Sequence, residues 1–171
     1  MSKGKIHIYT GNGKGKTTAA IGLAVRAAGA GKRVFIGQFV KGMHYNELNA
    51  LKLIPNITIR QYGLDCFIKN QPTDKDIAAA LKGLEEIKTI TTSKEYDVVI
   101  LDELCIALYY KLFDEEEIIK LIRSKPESIE MIITGRYASE RLISEADLVT
   151  EMKEIKHYYN NGQSARKGIE Y

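Results

Sequence analysis

Cysteine is scarce. The 171-residue chain has two, Cys66 and Cys105, far apart and in no C-x-x-C pair. That spacing makes zinc improbable and argues against a disulfide in what reads as a cytosolic enzyme. An excess of one charge is also missing. Against 22 acidic residues stand 25 basic ones, a net +3, spread along the chain rather than gathered in a stripe. No nucleic-acid footprint is expected from such a distribution. No uninterrupted apolar stretch reaches the length of a membrane helix, so no membrane partner is expected. Met1-Ser2-Lys3-Gly4-Lys5 leads straight into an apolar strand without a signal-peptide pattern. Repeats and low-complexity segments are lacking too. What remains is ordinary globular composition, with one domain expected over residues 1–171 and a cytoplasmic location.

The chain is organised around Lys5-Ile6-His7-Ile8-Tyr9-Thr10 and the Gly11-Asn12-Gly13-Lys14-Gly15-Lys16-Thr17-Thr18 that follows. A short apolar strand, a glycine-rich loop and a helix starting at Gly15 or Lys16 form the layout of a phosphate-binding loop. Glycines let the backbone curl so that several N–H groups converge on one anion. The helix N-terminus adds its dipole, Lys16 a full charge, and the Thr17 hydroxyl a ligand for Mg²⁺. The usual G-x-x-x-x-G-K-[ST] pattern places its first glycine where this chain has Thr10; here it is Gly11. The loop is one residue short, so it should cradle a phosphate chain differently from an ordinary nucleotide hydrolase.

The second landmark is Tyr96-Asp97-Val98-Val99-Ile100-Leu101-Asp102-Glu103. An aliphatic run ending in two acids reads as a buried parallel strand with carboxylates at its tip, where at least one completes a magnesium shell. On an extended chain the two acids point opposite ways and so divide the work. Further strands are expected at 33–39, 57–62, 129–134 and 147–155, the last at an edge. Helices are expected at 15–28, 46–53, 74–92, 114–123 and 139–145, with Thr73 and Asp114 as caps and a helix or turn at 104–112. Lys41 and Arg136 follow strands and so fall on the phosphate-loop side, where each either faces a ligand or is a solvated or ion-paired surface group. Arg26 sits late in the first helix, either serving the helix dipole or reaching toward a nucleotide. Residues 63–72 suit a lid or a loop tucked on the core. The tail from His157 to Tyr171 is expected to fold over the nucleotide or enter a subunit interface, with His157 structural.

These pieces assemble into a three-layer α/β/α domain with a mainly parallel sheet, the RecA-like phosphate-loop class. In order, Thr10 to Ala20, Gln38-Phe39-Val40-Lys41-Gly42, Val99 to Leu104, Ile132 to Arg136, Lys156-His157 and Gly168-Ile169-Glu170-Tyr171 resemble the ATP:corrinoid adenosyltransferases of the CobA/CobO/BtuR type. The resemblance implies transfer of the 5′-deoxyadenosyl group of ATP to the Co(I) of a reduced corrinoid (cobalamin, cobinamide or a precursor), with triphosphate released and ATP bound in reverse. It implies that Gly11, Asn12, Gly13, Lys14, Gly15, Lys16, Thr17 and Thr18 bind the triphosphate. Thr17 and Glu103 would hold Mg²⁺ or Mn²⁺, supported by Asp102, with Lys16, Thr17 and Glu103 central to catalysis. Arg26, Lys41 and Arg136 become lesser ligand contacts. A flavin-type reductant protein and a homodimer are implied as partners, and no catalytic His or Cys is needed. The chain departs from the family pattern in having four residues before Lys5 in place of an N-terminal arm. It also lacks two closely spaced aromatics after the third strand, leaving Phe67 as the candidate for displacing the lower cobalt ligand. Two other readings fit a phosphate loop: a different ATPase or small kinase, and a nucleotide-dependent switch without chemistry.

Overall fold

Short, largely aliphatic segments build the sheet, its central strands buried on both faces. The computed structural model describes residues 3–64, 68 and 71–171, and its strands are β1 (Ile6–Thr10), β2 (Val34–Phe39), β3 (Ile57–Tyr62), β4 (Val98–Asp102), β5 (Glu130–Thr134) and β6 (Leu148–Glu151). They run in the order β3-β2-β4-β5-β1-β6, every neighbouring pair parallel. Strands buried on both faces need apolar residues at every position, and β2 and β4 have nearly that. Val98, Ile100, Val34, Ile36 and Ile132 face one side; Val99, Leu101, Phe35 and Met131 face the other.

Helices cover both faces. On the first lie α1 (Lys16–Gly29), packed through Ala20, Ala24 and Ala27, and α2 (Glu47–Leu51). Small alanines let α1 lie close to the sheet. On the second face lie α3 (Asp74–Ser93), α4 (Leu104–Tyr109), α5 (Glu115–Ser124) and α6 (Glu140–Ser144), with a core that includes Leu84, Ile87, Leu104, Ile118 and Leu142. Thr73 and Asp76 close a reciprocal capping box on α3, and Asp114 caps α5. The three-layer parallel architecture is thus as expected, β6 lies at the edge, and strand and helix bounds fall within a few residues of the sequence reading. A 3₁₀ turn at Tyr158–Asn161 starts the tail. No helix among the described residues is long and apolar enough to cross a membrane.

The order places β5 between β1 and β4, so the glycine loop and the acid pair stand one strand apart on the same C-terminal edge. The loops after β2 and β3 also meet there. A Cβ on Gly42 would lie 2.4 Å from the Leu64 carbonyl carbon, and one on Gly63 would lie 2.5 Å from the Lys41 nitrogen. Only glycines permit that backbone-to-backbone contact.

Candidate active site

The glycine loop is shaped to receive an anion. Gly11 and Gly15 have φ of 95° and 116°, open to glycine and costly for other residues. Gly15 is the N-cap of α1, which has neither a side-chain cap nor an acid in its first turn, whereas α3 and α5 have both. The first intrahelical bond is Ala19 N–H to the Gly15 carbonyl, 2.8 Å, so the N–H groups of Lys16, Thr17 and Thr18 precede it. The loop is braced from behind, Gly13 N–H donating to the Met152 carbonyl at 2.7 Å, just past β6.

Lys16 is 6% exposed. Its ammonium donates to the Gly11 carbonyl at 2.8 Å and the Gly13 carbonyl at 2.7 Å. Burial draws its pKa below the usual lysine range, with Glu103 opposing. It is thus a charge held under the loop, with part of its hydration stripped away.

Asp102, at the tip of β4, is 1% exposed and receives four donors. Thr17 Oγ1–H (2.8 Å) and Thr134 Oγ1–H (2.7 Å) donate to Oδ1; the Lys41 ammonium (2.8 Å) and Gln38 Nε2–H (3.1 Å) donate to Oδ2. Burial alone would raise its pKa, but the Lys41 charge and these hydrogen bonds outweigh it and hold the carboxyl below the ordinary aspartate range. The two acids do divide, though not by strand alternation. Glu103 leaves the strand with φ 58° and becomes the N-cap of α4, its N–H donating to Thr134 Oγ1 at 3.0 Å. No donor among the described residues reaches the Glu103 carboxylate, which lines the cavity over the loop. Burial and the Asp102 charge push its pKa up, with Lys41, Lys16 and Arg136 opposing.

That cost makes a prediction. In the absence of nucleotide, Glu103→Gln should raise the thermal midpoint at neutral pH, because the charged form is disfavoured in the fold. An acid with a raised folded pKa contributes most below its unfolded value and loses that contribution as pH rises through the folded one. The gain should therefore shrink on acidification, as read by thermal unfolding across pH. An unchanged midpoint at neutral pH would refute it.

The cavity has a volume of about 650 Å³, and Lys14, Lys16, Lys41, Glu103 and Arg136 are on its wall. Arg136 is exposed on the cavity wall. Lys41 is on the wall as expected, but its ammonium is pinned to Asp102. Arg26 is not brought to the site. It lies exposed in the last turn of α1, ten residues beyond Lys16 and so roughly 15 Å along the helix axis. Asn12 is exposed and is not among the residues lining the cavity. Phe67 and Cys66 lie outside the described residues. Burial pushes the Cys105 thiol up to about 12, so it is no thiolate at neutral pH.

Sequence reading missed Gln38 and Thr134, both fully buried partners of Asp102. The signal was available in Gln38, a polar residue inside an otherwise apolar strand. It also missed the clasp on Lys14. His157 and Gly168 to Tyr171 of the tail line one side of the cavity. The Lys14 ammonium donates to Glu170 Oε1 (2.7 Å), Tyr158 Oη (2.8 Å) and the Ile169 carbonyl (3.1 Å). Tyr158 O–H and Arg166 also donate to Glu170, which together hold its carboxyl far below the usual range. His157 Nδ1 accepts from Tyr159 N–H at 3.0 Å and so caps the 3₁₀ turn.

Because the clasp is largely ionic and lies near the surface, salt should loosen it. Limited proteolysis within 157–171 is expected to accelerate at high ionic strength, and Glu170→Ala should reach the same rate at low salt. Equal protection of both proteins at low salt would show that these contacts do not hold the tail.

As a donor set, Thr17 Oγ1, Asp102 and Glu103 offer one hydroxyl and two carboxylates, oxygen ligands of the kind Mg²⁺ takes. No cluster of three His, Cys, Asp or Glu residues occurs among the described residues. The residues present therefore fit such an ion.

Residues 2–171 match the family described as ATP:corrinoid adenosyltransferase BtuR/CobO/CobP. The corrinoid adenosyltransferase CobA of Salmonella typhimurium is 35% identical over 169 residues, spanning 99% of this chain and 86% of that one. A corrinoid adenosyltransferase of Sinorhizobium is 36% identical over 173 residues, spanning 99% and 81%. Among solved structures, a KaiC-like protein of Pyrococcus horikoshii superposes with a TM-score of 0.59 over 87% of this chain and 73% of its own, at 16% identity. That last likeness concerns the fold alone.

Proposed function

The chain belongs to the ATP:corrinoid adenosyltransferase BtuR/CobO/CobP family, and from that premise we propose that it transfers the 5′-deoxyadenosyl group of ATP to the Co(I) of a reduced corrinoid in adenosylcobalamin synthesis. The cobalt–carbon bond forms as the C5′–oxygen bond breaks, and triphosphate leaves with the electron pair. The observation that carries this reading is the short loop, Gly11 to Thr18, in a chain matched along almost its whole length.

Co(I) is a strong nucleophile, so the protein has little acid–base work to do. It aligns C5′ with cobalt and offsets the charge that grows on the departing triphosphate. The N–H groups at the start of α1, the Lys16 ammonium and the Arg136 guanidinium do the second. Lys14 joins them from the loop, steadied by the tail. Thr17 and Glu103 would hold Mg²⁺, with Asp102 orienting the Thr17 hydroxyl. Such an ion supplies positive charge to the triphosphate oxygens. The tail, closing one side of the cavity, limits water. We also propose a cytoplasmic homodimer of single-domain subunits, served by a flavin-type reductant protein.

The test is anaerobic turnover with ATP, Mg²⁺ and chemically reduced cobalamin, following loss of Co(I) absorbance and assaying the phosphate product. A light-sensitive alkylcobalt product with intact triphosphate is expected. Corrinoid-independent ADP and orthophosphate would overturn the reading in favour of an ordinary ATPase.

A further inference from the structure

Lys41 stands where a cation would be most strongly drawn. Its ammonium is 2.8 Å from Asp102 Oδ2 and 3.3 Å from Thr17 Oγ1, two of the three side chains that suit Mg²⁺. The placement is built into the fold. Val40, the preceding residue, is held at φ 57°, a strained conformation for a β-branched side chain, and this turns the chain at the tip of β2. Gly42 locks the other side against the Gly63–Leu64 backbone. The Tyr45 ring lies 5.2 Å from the ammonium and provides a cation–π contact. The side chain is 13% exposed.

A buried carboxylate needs a positive partner. Asp102 has one in Lys41, and a divalent cation would be a second. The two repel at this range. Mg²⁺ binds oxygen at about 2.1 Å, so an ion on Thr17 Oγ1 would lie within about 5.4 Å of the ammonium, with little water between to screen them.

We propose that the Lys41 ammonium is the resident counter-ion of this corner, and that a divalent cation gains Thr17 and the carboxylates only by displacing it. Lys41 also lines the cavity shared with Lys16 and Arg136, so an incoming triphosphate offers the displaced ammonium a new anionic partner. Cation and nucleotide therefore enter together, and the cation alone is refused. Asp102 never loses its counter-charge during the exchange. The proposal rests on the triphosphate-and-cation part of the function above, not on the transfer to cobalt.

The experiment measures Mn²⁺ binding by the purified full-length chain without nucleotide, from loss of the free Mn²⁺ electron paramagnetic resonance signal and from the thermal midpoint. Wild type and Lys41→Arg should bind poorly and show no Mn²⁺-dependent shift. Lys41→Met should bind at least about tenfold more tightly, as expected when a neighbouring like charge is removed. Its lowered midpoint should recover with Mn²⁺, and adding Asp102→Asn should abolish that recovery. A folded Lys41→Met that binds no better than wild type would overturn the proposal. So would wild type binding Mn²⁺ alone with a matching thermal shift, an arm that holds even if Lys41→Met fails to fold. No corrinoid or turnover enters the assay, so its outcome and that of adenosyl transfer are independent.

Discussion

Replacing Lys16 by alanine is expected to lower kcat/KM for adenosyl transfer by at least about 100-fold, the scale on which a single preorganised charge-stabilising donor acts. The chemistry puts new negative charge on one group, the leaving triphosphate. The Lys16 side chain already lies beneath the loop with its ammonium on the Gly11 and Gly13 carbonyls, and a phosphate oxygen has only to replace those acceptors. Little reorganisation is needed, and burial strengthens the interaction. Steady-state kinetics of Lys16→Ala, with circular dichroism to show that the fold persists, tests this. A loss of less than about threefold, far below the range for such a donor, would mean that Lys16 only shapes the loop.

The largest stability effect is expected from Asp102→Ala, a loss of about 3–5 kcal/mol in chemical denaturation, the usual result of removing one partner of a buried ion pair. The substitution strands the Lys41 ammonium and leaves Thr17, Gln38 and Thr134 without their shared acceptor. Asp102→Asn should lose less, because it keeps part of that network. Removing Lys41 as well should restore some of the loss, a coupling that a double-mutant cycle measures. The sign with pH follows from the depressed pKa of Asp102. Its contribution is full above the ordinary aspartate range and disappears as pH falls through the folded value. Wild type and Asp102→Ala should therefore converge in strong acid. A loss under about 1 kcal/mol at neutral pH would place the pair among ordinary surface ion pairs.

What the sequence made legible was local. Strand, glycines and Gly-Lys-Thr sit side by side, so the loop at the head of α1 could be read directly, as could the Thr73 cap of α3. Acids ending an aliphatic run marked β4. What depended on distant contacts was not legible. Glu103 turns away from Asp102 through a left-handed backbone conformation and a bond to Thr134, and nothing in neighbouring residues announces that. Lys41 was placed on the correct edge, but its engagement with Asp102 follows from the β2–β4 register, which pairs Gln38 with Asp102. Arg26 was left open between the helix terminus and a ligand, because position along a helix alone does not reveal distance from the loop. The clasp of Glu170 on Lys14 joins opposite ends of the chain, beyond the reach of any periodicity.

The strand order also has a consequence for how the molecule comes into being. β1 is the first strand made, yet it lies between β5 and β6, with Ile6 opposite Met131 and His7 opposite Leu148. Both of its neighbours arrive late in synthesis, and closing such long loops is slow. The bond from Gly13 to Met152 comes later still. A nascent chain displays its glycine loop early but cannot set it against a finished sheet until β6 and Met152 have left the ribosome. Capture of a nucleotide by this loop therefore marks the completed sheet, and ATP has no native site through which to guide the early steps of folding.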